Sequence, residues 1–313
     1  MTVICLGAHI LDILGRPVTD IPPGQGRRVL DEIKITAAGT AGGTAVDLAK
    51  LGARVASIGA VGDDAAGRML RLLLEDHGVD TAGLAEKRGA ATPSTILPIR
   101  PDGSRPALHA RGAMNRLTAD DVDLDSVAHA DALHIGGPDV LGDFAADALP
   151  RIAEHAGAHG TIVTMDLLSV GRADLLTDLA DLWPQVHHFL PNDDQLRAIT
   201  GSDDLTEAAE KLLALGVGTV VVTRGAQGAL LVSGEGTHEV PALTVDVVDT
   251  TGCGDAFCAG YLVGLLSGEP LVDAARLGIA AASQVAQGLG SDAGIVDLAS
   301  TEALRASVGR GGL

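Results

Sequence analysis

The chain has 313 residues, 46% of them hydrophobic but only 2% aromatic, so a sizeable core has to be assembled from Ala, Val, Leu and Ile. A formal charge of −19 argues against nucleic acid and anionic membrane as partners over most of the surface. Three cysteines, Cys5, Cys253 and Cys258, form neither a disulfide framework nor a zinc-finger spacing, and no apolar run is long enough to span a bilayer. With no leader pattern at its start, the chain is expected to be soluble and cytoplasmic.

TVICLGA (2–8) reads as a buried first strand ending in glycine, with Asp12 just past its end. Residues 28–36 alternate loosely, which predicts a half-exposed strand. AAGTAGGTAVDLAKLG (37–52) runs from a glycine-rich start into a helix with Val46, Leu48 and Leu51 near one side. ARVASIGAVG (53–62) is the next strand, and DDAAGRMLRLLLEDHG (63–78) a helix with an acidic start. This βαβα rhythm predicts a largely parallel sheet covered by helices. It breaks at 92–112, where strand-like pieces flank the turn PDGS. That hairpin, together with 14–36, predicts a small β lid, leaving 1–13, 37–91 and 113–313 as the large domain. Both excursions leave the pattern near the carboxyl end of a strand, where open α/β folds bind ligands.

The rhythm then resumes. Strands are expected at 131–137, 160–166, 186–192 and 217–225, with a helix at 206–216. GALLVS and THEVPAL read as antiparallel edge strands, TVDVV (244–248) as a further strand-like piece, and helices ending with TEALRAS (301–307) close the chain.

DTTGCGD (249–255) stands between TVDVV and a helical stretch. Glycines before a helix let the amides of Gly252, Cys253 and Gly254 converge on an anion. Asp255, at the first helical turn, is either a favourable N-terminal charge or a base aimed at a substrate hydroxyl. The two halves fit together if the anion is a transferring phosphoryl group. The segment is not a P-loop, since no G-x-x-x-x-G-K-[ST] occurs, and Cys253 contributes its backbone N–H rather than a nucleophilic thiol. TRGAQG (223–228) can bring glycines against a nucleotide, whereas GAVGDDAAG (59–67) reads as a strand-to-helix turn capped by Asp63 or Asp64. Asp12 opposite AAGTAGG suits hydroxyl recognition, or is a solvated loop residue. His9 and His109 stand on cleft or lid segments within reach of a substrate. The histidine spacings hold no H-E-x-x-H, so no transition-metal site is expected.

Together these segments resemble the PfkB, or ribokinase-like, family of sugar and nucleoside kinases. DTTGCGD fits the D-T-x-G-[AC]-G-D signature at every specified position. GAVGDDAAG resembles G-x-V-G-x-D-x-x-G, TRGAQG resembles T-x-G-x-x-G, and Gly7 to Asp12 gives G-x-x-x-x-D. The resemblance covers most of the chain in the right order. It implies a three-layer α/β/α sandwich with a mostly parallel central sheet of nine or ten strands and a small β lid. Asp255 is implied as the base that activates a primary hydroxyl against the γ-phosphate of ATP, with Gly252, Cys253 and Gly254 as the anion hole. Asp12, Gly39, Gly43, His109 and Asp166 are implied on the substrate side. Asn192, Thr223, Gly225, Gly228 and Gln284 are implied on the ATP side. Asp249, Thr251 and Ser291 are implied at a monovalent-cation site that many members fill with potassium, and Mg²⁺ is expected on the ATP phosphates.

The chain departs from the family pattern at three places. Ala38-Gly39 stands for a Gly-Gly pair, and Gly43 takes the position of an Asn. Gln195 takes the place of a Glu in PNDDQ, where Asp193 or Asp194 can replace the charge, and DLL replaces D-x-N at Asp166. A sugar kinase is the leading reading. A nucleoside kinase is the alternative, although none of Phe144, Trp183, Phe189, Phe257 and Tyr261 lies on the lid segments to stack on a base. A non-enzymatic sugar or nucleotide sensor is the reading of another class. Free lid edges make a homodimer through the lid a reasonable expectation.

Overall fold

The computed structural model of the protein describes residues 1–306. In chain order its strands are β1 (Thr2–Gly7), β2 (Ile10–Arg16), β3 (Glu32–Ala38), β4 (Arg54–Gly62), β5 (Asp80–Lys87), β6 (Ser94–Pro98), β7 (Leu108–Ala110), β8 (Ala132–Gly136), β9 (Ile162–Asp166), β10 (His188–Phe189), β11 (Thr219–Thr223), β12 (Ala229–Ser233) and β13 (Gly236–Val240). The helices are α1 (Thr40–Lys50), α2 (Ala65–Asp76), α3 (Leu124–Ala128), α4 (Asp143–Asp147), α5 (Leu149–Ala158), α6 (Leu175–Asp178), α7 (Asp193–Thr200), α8 (Leu205–Ala214), α9 (Cys253–Leu266), α10 (Leu271–Val285) and α11 (Leu298–Arg305).

β1 shows why the chain needs three layers. Val3 and Cys5 point to one face and Ile4 and Leu6 to the other, and all four are buried. A strand apolar on both faces has to be covered twice. Val3, Cys5, Val55 and Ala132 pack with residues of α1, α2, α9 and α10, whereas Ile4, Leu6, Leu133 and Ile135 pack with α5, α7, α8 and Trp183. The result is a three-layer α/β/α sandwich around a nine-stranded sheet of order β13-β12-β11-β10-β9-β8-β1-β4-β5. From β5 to β11 neighbouring strands run parallel; β12 is antiparallel to both β11 and β13. The winding reverses at β1, with β4 and β5 added on one side and β8 to β11 on the other. This reversal leaves a crevice at the carboxyl ends of β1 and β8.

A separate four-stranded sheet, β3-β2-β6-β7, stands over that crevice. Its first strand begins at Ile10, so Asp12 lies inside a lid strand and not in a loop after β1. β5 was not anticipated, because DTAGLAEK has no clean apolar alternation. TVDVV is no strand; the N–H groups of Val248 and Asp249 turn to Ala286 O at the end of α10, so the segment pairs with a helix end instead of a sheet. The last helix runs over Leu298–Arg305, and Ser307 lies outside the described residues.

Leu14, Leu97 and Ile99 of the lid close on Leu289 of the body to form a small buried cluster of their own. Leu14 is 0% exposed. Leu14→Ala is expected to loosen the lid by about 2–5 kcal/mol, the usual loss for such a truncation. Amide hydrogen exchange would then speed up in β2 and β6 while β1 keeps its protection.

Candidate active site

α9 starts at the crevice. Gly252 precedes it with φ 80°, and no side chain caps the helix. A side chain at 252 would also meet Ser291, whose Cα would lie 2.5 Å from the added Cβ. The loop before it is held from inside: Asp249 Oδ1 accepts from Thr251 N at 3.0 Å and Thr251 Oγ1 at 2.8 Å, and Oδ2 accepts from Gly290 N at 3.0 Å. Ser291 Oγ donates to Ala37 O at 2.9 Å, linking this turn to the lid. Asp249, Thr251 and Ser291 are thus brought together, with Asp249 buried. Of the three expected amides, that of Cys253 is engaged by Thr250 O at 3.3 Å. Among the described residues Gly252 and Gly254 have no such partner, and nothing lies within 4 Å of where a Cβ on Gly254 would be. Burial pushes the Cys253 thiol up to about 12, which keeps it protonated.

Asp255 sits on the first turn of α9. Burial and then the nearby charge of Asp12 push its carboxyl up to about 7, against the pull of Arg105. Asp12 itself is raised to about 6, chiefly by burial. Across the lid, strand pairing sets Thr36, Asp12, Thr95 and His109 in one row on one face. Thr36 Oγ1 lies 3.5 Å from Ser291 Oγ, so this face looks into the cleft. His109 Nδ1 lies 3.1 Å from Thr95 Oγ1, and burial followed by the charge of Arg111 lowers its pKa. Gly39 precedes α1 with φ 82°, and Gly43 follows on the first turn of that helix. A Cβ on Gly43 would stand 2.4 Å from Asp255 Oδ2.

Beside the start of α9 a cavity of about 380 Å³ is lined by Thr223, Gly225, Gly228, Cys253, Gly254 and Ser283, among others. Asn192 reaches its wall through a bridge to Thr223. Gln284 does not line it: its Oε1 accepts from Thr301 Oγ1 at 2.6 Å, on the α11 side. Asp166 is also set back. It is buried with His134 Nε2 at 3.7 Å and Cys258 Sγ at 3.9 Å. Burial and the charges of Asp255 and Asp139 push its carboxyl well above the usual range. These three side chains are the one group among the described residues with metal-ligand spacing, but they are fewer than the four ligands of a closed zinc site.

Two features escaped the sequence. Arg105, from the β6–β7 connection, donates through Nε to Thr250 Oγ1 at 3.3 Å and stands 3.9 Å from Asp249 Oδ1. Nothing local distinguishes it from Arg100 or Arg111. The second is why position 195 is Gln. Its Oε1 accepts from Asn192 N at 2.9 Å while Nε2 donates to Leu167 O and Ser169 O at 2.8 and 2.9 Å. A carboxylate can accept but cannot donate. Asp193 is paired with Arg197 at 2.6 Å, and the exposed Asp194 stands 3.8 Å from the same guanidinium.

Residues 2–297 match the profile of the pfkB family carbohydrate kinases. The chain belongs to that family. Its pfkB relatives include Fructokinase-1 of Zea mays, 30% identical over 232 residues that cover 72% of each chain. An uncharacterized sugar kinase of Archaeoglobus fulgidus is 30% identical over 254 residues, covering 79% of this chain and 97% of that one. Among solved structures, adenosine kinase from Sinorhizobium meliloti superposes with a TM-score of 0.82 at 27% identity, over 97% of this chain and 98% of the other. Arabidopsis thaliana ribokinase complexed with ribose and ATP shares the fold, with a TM-score of 0.81 at 23% identity, over 97% and 98%. As a pfkB protein the chain is an ATP-dependent kinase of sugars or nucleosides.

Gln195→Glu is expected to leave the buried Leu167 carbonyl and the more exposed Ser169 carbonyl without this donor, at about 1–3 kcal/mol. Urea unfolding should show that loss as a lower midpoint with an unchanged slope.

Proposed function

We propose that this pfkB kinase moves the γ-phosphate of ATP onto a primary hydroxyl of a sugar or sugar derivative. The observation that carries the reading is that Asp255 and the uncapped N–H groups of Gly252 and Gly254 share one turn, next to the cavity lined by Thr223, Gly225 and Gly228. ATP fits that cavity with its phosphates toward the start of α9, where the N–H groups and the helix dipole favour an anion. The acceptor lies under the lid, where Asp12, with Thr36, Thr95 and His109 beside it, meets its hydroxyls, and Gly39 lets the chain approach closely. Asp255, ionised, takes the proton of the attacking hydroxyl as its oxygen bonds to phosphorus and the bond to ADP breaks. Arg105 and the α9 amides hold the negative charge of the group in flight.

Mg²⁺, bound chiefly by the ATP phosphates and water, supplies further charge neutralisation there. A potassium ion suits the turn of Asp249, Thr251 and Ser291, where the buried Asp249 carboxylate has Arg105 as its one cationic neighbour among the described residues, at 3.9 Å. A sugar is favoured over a nucleoside because Phe144, Trp183, Phe189, Phe257 and Tyr261 are all buried, so none of these five rings is free to stack on a base. Among the described residues no helix is long and apolar enough to cross a membrane. A cytoplasmic enzyme is in keeping with that.

Asp255→Asn is expected to lower kcat on the order of 10³-fold in an ADP-release assay over ketoses, pentoses and polyols. Equal turnover by this variant would remove the assigned base. In the wild type the base works only when ionised, so kcat/KM should rise with pH up to about 7 and level off above it. Because Asp12 and Asp255 interact, the measured midpoint belongs to the pair.

The outer face of the lid carries Ile35, Ile13, Ile96 and Leu108 in one row across its four strands. Ile96 is 53% and Leu108 60% exposed. A homodimer through this face would bury the row. Light scattering should show a dimer that Ile96→Lys converts to a monomer; a wild type that stays monomeric at every concentration rules this out.

A further inference from the structure

Helix interiors avoid glycine, which destabilises them by roughly 0.5–1 kcal/mol relative to Ala. α1 nevertheless holds Gly42 and Gly43 in succession near its start. Gly42 faces His9, and a Cβ there would meet its ring at 3.3 Å, a tight contact that a small shift of the ring relieves. Gly43 differs. An added Cβ would stand 2.4 Å from Asp255 Oδ2, 2.9 Å from Cγ and 3.2 Å from Cβ, so the whole side chain of Asp255 occupies the space that any other residue would fill. The two helices are also joined here, with Thr44 Oγ1 donating to Asp255 O at 3.4 Å.

The position has an electrostatic side. α1 has no acidic residue in its own first turn, and no side chain caps it. A carboxylate laid on such a turn is favoured in its ionised form. Asp255 therefore rests between two helix N-termini, its own and that of α1.

We infer that Gly43 is the positioning residue for Asp255: by having no side chain, it lets the carboxylate lie against the first turn of α1, where the acceptor hydroxyl meets it. Gly43 is then not a substrate contact that lost its side chain. It is a seat for the base, and the amide found there in the family pattern would not fit with Asp255 in this place. The inference rests on Asp255 being the base.

The groups facing Asp255 come from every side. Asp12 and Arg105 face it from the lid, and Cys253 from the start of α9. Asp47 faces it from α1, Asp166 from β9 and Cys258 from α9 itself. Gly43→Ala changes none of these groups, so any altered titration reports the seat and not a lost charge.

The test compares wild type, Gly43→Ala and Asp255→Asn. Ala is the better helix former, so Gly43→Ala should keep or raise the melting temperature. Its kcat should fall at least tenfold while the KM for ATP stays within twofold, and the acid limb of its pH profile should move to higher pH. The carboxyl ¹³C titration of Asp255, followed by NMR in wild type and Gly43→Ala, reads the same displacement without turnover and should move upward. Wild-type kcat and an unmoved titration in Gly43→Ala would overturn the inference while Asp255→Asn still shows the base to be needed. Full activity of Asp255→Asn would instead sink the base assignment. A chain that turns over no acceptor leaves the NMR titration to decide whether Gly43 seats the carboxylate. A lower melting temperature with unchanged titration would make Gly43 a packing residue only.

Discussion

Among the described residues, no side chain caps the N–H groups at the first turn of α9. Unpaired donors at a helix start need water or a ligand. The surrounding structure keeps them available. Asp249 uses both carboxylate oxygens to hold the preceding loop, and Gly252 turns that loop with a backbone that few other residues adopt. Ser291 closes against Gly252 so tightly that a Cβ has no room. The reversal of winding at β1 puts the whole turn at the mouth of the crevice.

The same geometry bears on how a chain of net charge −19 can receive a polyanion. A net negative chain offers such a ligand little long-range attraction, and the groups near the crevice that suit an anion at short range are the start of α9 and Arg105 from the lid. Because Asp12 belongs to a lid strand and Asp255 to the body, the two carboxylates can approach each other only when the lid is in place. The lid thereby affects the charge on Asp255.

Much of this was legible in the residues. The βαβα rhythm located β1, β4, β8, β9 and β11, because strands buried on both faces are continuous apolar runs between glycines. DTTGCGD marked the start of α9, because glycines before an apolar run favour a turn into a helix. β5 was hidden by its polar composition, and TVDVV looked like a strand because β-branched residues suit extended chain whether or not a partner strand is present. The lid boundary was set too late, since ILDILGR carries its aspartate in mid-strand. Arg105 could not be found locally; it meets Thr250 across 145 positions of chain. Gln284 illustrates the opposite error, a right helix with the wrong face. Gln195 looked like a lost carboxylate until its two donated hydrogen bonds explained it.

Trp183 is the single tryptophan of the chain. It is fully buried in the layer of α5, α7 and α8, edge-on to Phe189 at 5.2 Å, with Nε1 bonded to Leu176 O. Its environment is set by the body alone, on the face of the sheet opposite α1 and α9. Its emission should therefore be that of an indole shielded from water, and should follow unfolding of the sandwich while staying silent to movements of the lid. The protein thus carries an optical reporter of its scaffold that is separate from its chemistry.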